Sequence, residues 1–364
     1  MIDFALTEEQ SSARDAMQGF ASDVLRPHAR EYDEASAIPD SFFQQSWELG
    51  LTATQIPEAY GGYGAERSPL TNAVVAEELA YGDAALAVAA LTPSLFANAV
   101  TDQGTGEQKQ RFLPDFCGEK FHAGSLAINE STPGFDAFSP KTTAEEKGAG
   151  YTLHGEKSYI PLGDSAANFL VIARNGAGLD AFIVPRDAPG LTVGEVDKNL
   201  GIKALPTTGL RLDGVDVTAE QRLGGAAGAD VGRIINQGRV AVSAILTGLS
   251  RAVLDYCVPY AKERVAFDEP IARKQSIAFR LAEMHIEIES SRWLTWKAAT
   301  ELEAGRDATR SSTLAKRYVA DKAMWISDNG VQVLGGHGFI REHPVEMWYR
   351  NARTLGVLEG TASV

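Results

Sequence analysis

A chain of 364 residues, 44% hydrophobic and 23% charged, has enough apolar surface to fold without disulfide or metal staples, and usual domain sizes give it two or three units. Its net charge of −14 repels phosphate backbones and anionic bilayers, which argues against nucleic acid as a partner. The cysteines, Cys117 and Cys257, form neither a CxxC pair nor a zinc spacing, and the six histidines are scattered, so no metal site is expected.

The first third reads as helices and is expected to form one unit over residues 1–118. Its opening, Met1 to Ala5, lacks a basic segment followed by an apolar one, so no signal peptide is expected. Two lone thiols fit a reducing, cytoplasmic setting. Thr7-Glu8-Glu9-Gln10 is a capping-box pattern, and Ala13, Met17, Phe20 and Val24 follow at helical spacing. Pro27 should end or bend that helix. A Gly-rich loop from Pro57 to Gly64 leads to a second helical run at about Leu70–Ala80. The small-apolar run Ala84 to Leu91 is too short to span a bilayer, so no membrane span is expected. Glu107 to Phe116 reads as a short helix ending near Gly118.

From about His122 to Leu223 the character changes, and a second unit is expected over 119–225. Phe169 to Ile172 and Ala181 to Val184 are short apolar runs between turn residues. Leu210 and Leu212 alternate with polar neighbours, as do Val215 and Val217. Short strands at this density, without helices between them, predict a small barrel or sandwich rather than a parallel sheet.

The last third, 226–364, returns to helix. Val242, Ile245, Leu249, Val253, Tyr256 and Tyr260 form one stripe, with Pro259 expected to kink it. Ile277, Leu281, Met284 and Ile288 form a second stripe; Ala323, Ile326 and Val333 belong to a third. Such helices predict a four-helix-bundle-like unit, so the fold class is α+β. No G-x-G-x-x-G, P-loop or G-x-S-x-G pattern occurs, so Rossmann, Walker and hydrolase-elbow sites have no support.

Three stretches stand out near the end: Glu263-Arg264-Val265-Ala266-Phe267 with Gln275, Gln332 to Phe339 with Gly335-Gly336, and Leu358-Glu359-Gly360-Thr361. In that order they resemble the C-terminal bundle of the flavin-dependent acyl-CoA dehydrogenases. Leu6 to Gln10, Ile56 to Gly62, Gly106 to Pro114, and Pro344-Val345-Glu346 with Arg350 extend the resemblance over nearly the whole chain. Each stretch alone is weak, and the ordered set is specific.

The resemblance implies a function. An acyl-CoA would lose two hydrogens to FAD, as in fatty acid β-oxidation, and electrons would pass to an electron-transferring flavoprotein. The enzyme would be a homotetramer, or a heterotetramer with a related chain. Glu359 matches the base that takes the α-proton while a hydride moves from the β-carbon to flavin, and desolvation there strengthens a carboxylate as a base. In the family, the backbone N–H of that glutamate also supports the thioester oxygen. Arg264, Phe267, Gln275, Gln332, Gly335, Gly336, Thr361, Asn129 and Tyr159 match cofactor positions, several of them reaching across to a neighbouring subunit's FAD. Arg239, Asn236, Phe135 and Gly360 match the substrate region. The competing readings are a solvated carboxylate for Glu359, an exposed charge paired with Glu263 or Asp268 for Arg264, a helix stop for Gly335-Gly336 and a structural ion pair for Arg239. His337 and Trp325 read as packing or surface residues.

The flavin-facing segments depart from the family. Its usual Thr-Glu-Pro-Gly-x-Gly-Ser-Asp appears as Asn129 to Asp136, which places Asn129 at a hydroxyl position and Phe135 at a serine. Its Trp-Ile-Thr appears as Tyr159-Ile160-Pro161, and Pro161 lacks both a hydroxyl and an N–H. Asp268 stands where glycine is usual, Asn351 where aspartate is, and Ser363 where glutamine is. The sequence reaches Val364 about where the family's last helix would begin. These departures leave two readings: an active dehydrogenase with altered flavin contacts, or a weakened, FAD-poor partner subunit of a heteromeric enzyme. A monooxygenase or oxidase relative fits less well, because Glu359 is present.

Overall fold

The computed structural model describes residues 5–364. The stretch Met1 to Phe4, on which most of the signal-peptide reading rests, lies outside the described residues.

Six helices come first: α1 (Glu8–Phe20), α2 (Arg26–Ala35), α3 (Asp40–Trp47), α4 (Pro69–Gly82), α5 (Ala84–Gln103) and α6 (Gly106–Phe112). The Thr7–Gln10 capping box forms as the sequence suggests, with both reciprocal bonds made. Helix α1 stops before Pro27. A π turn over Ala21–Leu25 carries the helical backbone on into α2, and this wider turn falls just before Pro27, which has no N–H to give to the preceding turn. Asp83 caps α5 by accepting from the Leu86 N–H at 2.9 Å.

The middle of the chain forms seven strands: β1 (Gly124–Ala127), β2 (Thr143–Lys147), β3 (Gly150–Pro161), β4 (Asn168–Asn175), β5 (Gly178–Pro185), β6 (Leu191–Val196) and β7 (Thr207–Thr218). They make one mixed sheet. Strand β5 lies antiparallel along one edge of β4, while β1 and β2 pair parallel with successive stretches of its other edge. Strands β2, β3, β7 and β6 continue antiparallel. Two pairings, β1 with β4 and β2 with β4, are parallel within a sheet whose other pairings are antiparallel. They arise because β1 enters from α6 and leaves the sheet at Ile128, with no turn joining it to a neighbour. The Leu210/Leu212 and Val215/Val217 alternations lie on the single strand β7.

Four helices follow: α7 (Val231–Glu263), α8 (Gln275–Glu303), α9 (Thr309–Leu334) and α10 (Val345–Val357), with the small hairpin β8 (Val265–Ala266) and β9 (Glu269–Pro270) between α7 and α8. Helix α7 packs against α4, α8, α9 and α10. It runs through Pro259 to Glu263, and Asp255, whose carbonyl loses its helical donor, is exposed. At the crossing with α4, a Cβ on Gly248 would lie 2.0 Å from the Glu77 carbonyl oxygen, so only glycine permits that approach. Around the crossing, Arg251 binds Glu77 and Glu78 at 2.9 and 2.7 Å, and Arg292 of α8 binds Glu77 at 2.8 Å. Helices α5 and α7 are long and apolar enough to cross a bilayer by length and composition, but their most apolar windows are 100% and 83% buried in the protein, as core helices are.

Candidate active site

Helix α10 ends at Val357, and the last residues run on as an unwound strap. Gly360 has φ +64, a left-handed conformation. A Cβ there would sit 2.3 Å from Ile128 Cγ2, so glycine is required twice over, for conformation and for contact. The strap therefore lies directly on the chain that continues β1 where that chain leaves the sheet.

Glu359, the first strap residue after Leu358, is 8% exposed. Arg239 of α7 donates to its Oε1 from Nε at 3.1 Å and Nη2 at 2.9 Å, and Lys316 of α9 lies 3.2 Å from the same oxygen. Burying an ionised carboxylate is costly without partners, and these two cations supply them. Among the described residues none donates to Oε2. Arg239 is held in turn by Thr313 at 2.8 Å and by the Phe138 ring, 5.1 Å from its guanidinium carbon. One turn earlier on α7, Asn236 donates to Thr309 at 3.0 Å and accepts from Ser312 at 2.9 Å, which commits its amide to the start of α9.

Asn129 meets the Glu359 main chain. Its Oδ1 accepts from the Glu359 N–H at 2.9 Å, and its Nδ2 donates to the Glu359 carbonyl. The Asn129 carbonyl accepts from the Ser158 N–H at 2.9 Å, which ties it to β3. Its neighbours are gripped by Lys157, which donates to the Ile128 carbonyl at 3.3 Å and to Glu130 at 2.9 Å. Burial lowers the Lys157 pKa to about 8 against the pull of Glu130. Burial also opposes ionisation of Glu130, but Lys157 and the bonds from Lys141 and Thr142 outweigh it and hold that carboxyl below its usual range.

The other expected cofactor residues gather elsewhere. Arg264 follows α7 directly, is exposed, and makes no ion pair among the described residues, so the competing reading of a charge paired with Glu263 or Asp268 does not hold. Phe267, at the hairpin tip, is 88% exposed with φ +56, and Asp268 has φ +66. Gln275 starts α8 in the open. Gln332, Gly335 and Gly336 are exposed at the end of α9, where added Cβ atoms on the two glycines would meet nothing within 4 Å. Tyr260 ties the last turns of α7 to the glycine segment, bonding His337 Nδ1 at 2.9 Å and the Leu334 carbonyl at 3.3 Å. Trp325 is half-buried on α9.

Arg239 and Arg264 lie 25 positions apart on one helix path. That is about 37 Å at 1.5 Å per residue, so the two groups cannot meet the same end of one ligand. The site at Glu359 and the cluster at Arg264 are therefore separate on the chain, and each is a candidate half-site.

The residues present fit a flavin nucleotide. The exposed half-site offers a free guanidinium, amide side chains and an open glycine backbone, which suit a pyrophosphate. Near the Glu359 half-site, the buried hydroxyls of Ser158, Thr208 and Thr361 have no partner among the described residues. Ser158 and Thr208 flank Tyr159-Ile160-Pro161 on β3 and β7, and Thr361 follows Gly360 on the strap. They offer spare donors where Pro161 has lost one. Tyr159 is 39% exposed with φ +53, and Phe135 is half-buried against the apolar cluster of α5 and β1.

Sequence reasoning missed Lys316 and Phe138. Nothing local marks either one, because their partners Glu359 and Arg239 are far away in the chain. The Lys157–Glu130 pair was also missed, because both residues stand among polar neighbours in the sequence and nothing local marks them as buried.

The chain matches three family models along its length: acyl-CoA dehydrogenase N-terminal domain over residues 7–120, middle domain over 125–215 and C-terminal domain over 229–364. The mitochondrial short-chain specific acyl-CoA dehydrogenase of Rattus norvegicus is 33% identical over 368 residues, covering 99% of this chain and 88% of the relative. The structure of butyryl-CoA dehydrogenase from Megasphaera elsdenii superposes with a TM-score of 0.88 at 33% identity, covering 99% of this chain and 96% of that one. A chain in a structure of the electron transferring flavoprotein of Acidaminococcus fermentans gives a TM-score of 0.88 at 30% identity, covering 99% and 96%.

Proposed function

The chain belongs to the acyl-CoA dehydrogenase family, and from that premise we propose that it oxidises a short-chain acyl-CoA to its trans-2-enoyl-CoA with FAD as cofactor. The observation that carries this reading is Glu359: a buried carboxylate, fixed through one oxygen by Arg239 and Lys316, with its other oxygen left to accept.

The α-proton of a thioester is weakly acidic, so its removal needs a fixed base and support for the carbonyl oxygen. Glu359 Oε2 takes that proton. Arg239 and Lys316 keep the side chain in one rotamer, so little orientation is lost when the substrate arrives. The Glu359 N–H is the donor for the thioester oxygen. FAD, when bound, supplies the acceptor for the hydride leaving the β-carbon. Asn129, Tyr159 and Thr361 line the half-site at the base, with Phe135 and Gly360 toward the substrate. Arg264, Phe267, Gln275, Gln332, Gly335 and Gly336 of a second chain hold the nucleotide. A tetramer, of this chain alone or with a relative, brings the half-sites together; an electron-transferring flavoprotein removes the electrons. A cytoplasmic setting fits the two free thiols.

The test is spectroscopic. Purified protein should carry a flavin absorption band that butyryl-CoA bleaches anaerobically. Glu359→Gln should keep the band and lose the bleaching by about 100-fold or more in rate. Protein that takes up no FAD, or a Glu359→Gln variant that bleaches normally, ends this reading.

A further inference from the structure

The amide of Glu359 has two claims on it. In the function proposed above, on which this inference rests, its N–H supports the substrate's carbonyl oxygen. In the structure Asn129 Oδ1 stands 2.9 Å from that nitrogen, at hydrogen-bonding distance and along its N–H direction. A carboxamide oxygen and a thioester oxygen are both carbonyl acceptors of similar size, and one N–H cannot point at both. Asn129 does more than accept. Its Nδ2 donates to the Glu359 carbonyl, so the side-chain amide pairs with the main chain through two bonds, as one strand pairs with another.

The pairing is built in, not incidental. Asn129 is 6% exposed and Glu359 is 8% exposed. The main chain on both sides of Asn129 is fixed, by Ser158 at its own carbonyl and by Lys157 at the carbonyl of Ile128. Apart from the grip of Arg239 and Lys316 on the Glu359 side chain, the main chain here is held by little else: Leu358 N–H turns back to Leu355, and Gly360 rests on Ile128 by contact. Among the described residues, Asn129 is the one hydrogen-bond partner of the Glu359 main chain.

We propose that Asn129 is a positioning residue that clamps Glu359 in place and occupies the seat of the substrate's carbonyl oxygen, so that a thioester binds by displacing Asn129 Oδ1 from the Glu359 N–H. No bond is made or broken beyond this exchange of hydrogen-bond acceptors. The clamp keeps the base strap ordered. Because a thioester oxygen is a weaker acceptor than a carboxamide oxygen, the exchange costs ground-state affinity and is driven by the rest of the acyl-CoA's contacts, while the N–H bond strengthens as negative charge builds on the thioester oxygen.

The test uses Asn129→Leu, of matching shape with neither hydrogen-bonding group, and Asn129→Thr as a second variant should the first fold poorly. Single-residue hydrogen exchange on the full chain reads the Glu359 amide directly and needs no turnover. Loss of the acceptor should speed its exchange roughly five- to tenfold, with amides in α7 and β3 unchanged. Calorimetric titration with crotonyl-CoA, the four-carbon enoyl thioester, should show tighter binding by roughly two- to tenfold, because the competing acceptor is gone. Turnover of butyryl-CoA should show kcat and KM falling together, the pattern of a lost ground-state occupant combined with a less well placed base. A residue that merely stabilised the fold would not lower KM. Unchanged Glu359 exchange overturns the clamp. Faster exchange with equal or weaker crotonyl-CoA binding overturns the displacement. If neither protein binds the thioester, displacement fails together with the function proposed above, while the exchange measurement still decides the clamp.

Discussion

Replacing Gly360 with alanine tests how Glu359 is placed. The new Cβ would lie 2.3 Å from Ile128 Cγ2, more than 1 Å inside ordinary van der Waals contact, at a residue with φ +64. The left-handed conformation costs an L-residue about 1–2 kcal/mol, and overpacking of this kind costs about 1–3 kcal/mol. Together they predict a loss of about 2–5 kcal/mol in denaturant unfolding. Ile128 is 1% exposed, so Ile128→Ala alone should cost about 2–5 kcal/mol through the cavity it leaves. That cavity is where the alanine methyl of position 360 needs to go. The double variant should therefore recover the steric part, giving a coupling of about 1–3 kcal/mol toward stability in a double-mutant cycle. Activity should follow the same order. A shift of about 1 Å in the strap displaces Glu359 enough to cost about 100-fold in turnover, and part of that should return in the double variant. Strict additivity, in stability or in rate, would refute the claim that contact with Ile128 sets where Glu359 sits.

Three further outcomes are expected. Asp83 is fully buried, and burial raises its pKa from 3.8 to about 6. A native carboxyl that binds its proton more tightly than the unfolded one loses stability as pH rises through that window, here by about 3 kcal/mol in all, about 2 of it between pH 4 and 6. Asp83→Asn keeps the cap and removes the charge, so urea unfolding at pH 8 should show a gain of that order that vanishes near pH 4; a pH-independent effect would contradict this account. Arg251→Leu leaves Glu77 and Glu78 short of a buried partner, although Arg292 still reaches Glu77, and should cost about 3–5 kcal/mol in the same assay. Asp268→Gly relieves a left-handed residue in the hairpin after α7 and removes a negative charge beside Arg264. Stability should rise by about 0.5–1 kcal/mol, and FAD should bind more tightly in a fluorescence titration at low salt.

Much of the fold was legible because its signals are local. The Thr7–Gln10 box, the strand runs at Phe169 and Ala181 and the stripe from Val242 to Tyr260 each depend on spacing within one element. The parallel pairing of β4 with β1 and β2 was not legible, since nothing in Gly124 to Ala127 states which distant strand it will meet. The same division runs through the site. Glu359, Gly360 and Arg239 could be singled out from stretches of sequence. Lys316 and the Asn129 pairing depend on side chains that tertiary packing brings to one carboxylate and one amide. Asn129 was read as a lost hydroxyl, and its gain of a second hydrogen-bonding group becomes visible only once the strap lies beside it.

Helix α7 carries Arg239 on one early turn and delivers Arg264 just past its end, so its residue count works as a gauge. Adding one residue between them would advance everything beyond by about 1.5 Å and swing it by about 100°. The hairpin would then face a different flank of the molecule, and no adjustment of loops could restore it. Seven residues, about two turns, would nearly restore the heading while lengthening the rod by about 10 Å. Length variation among functional descendants of this chain should accordingly be found in loops, such as those between strands, and not within this rod.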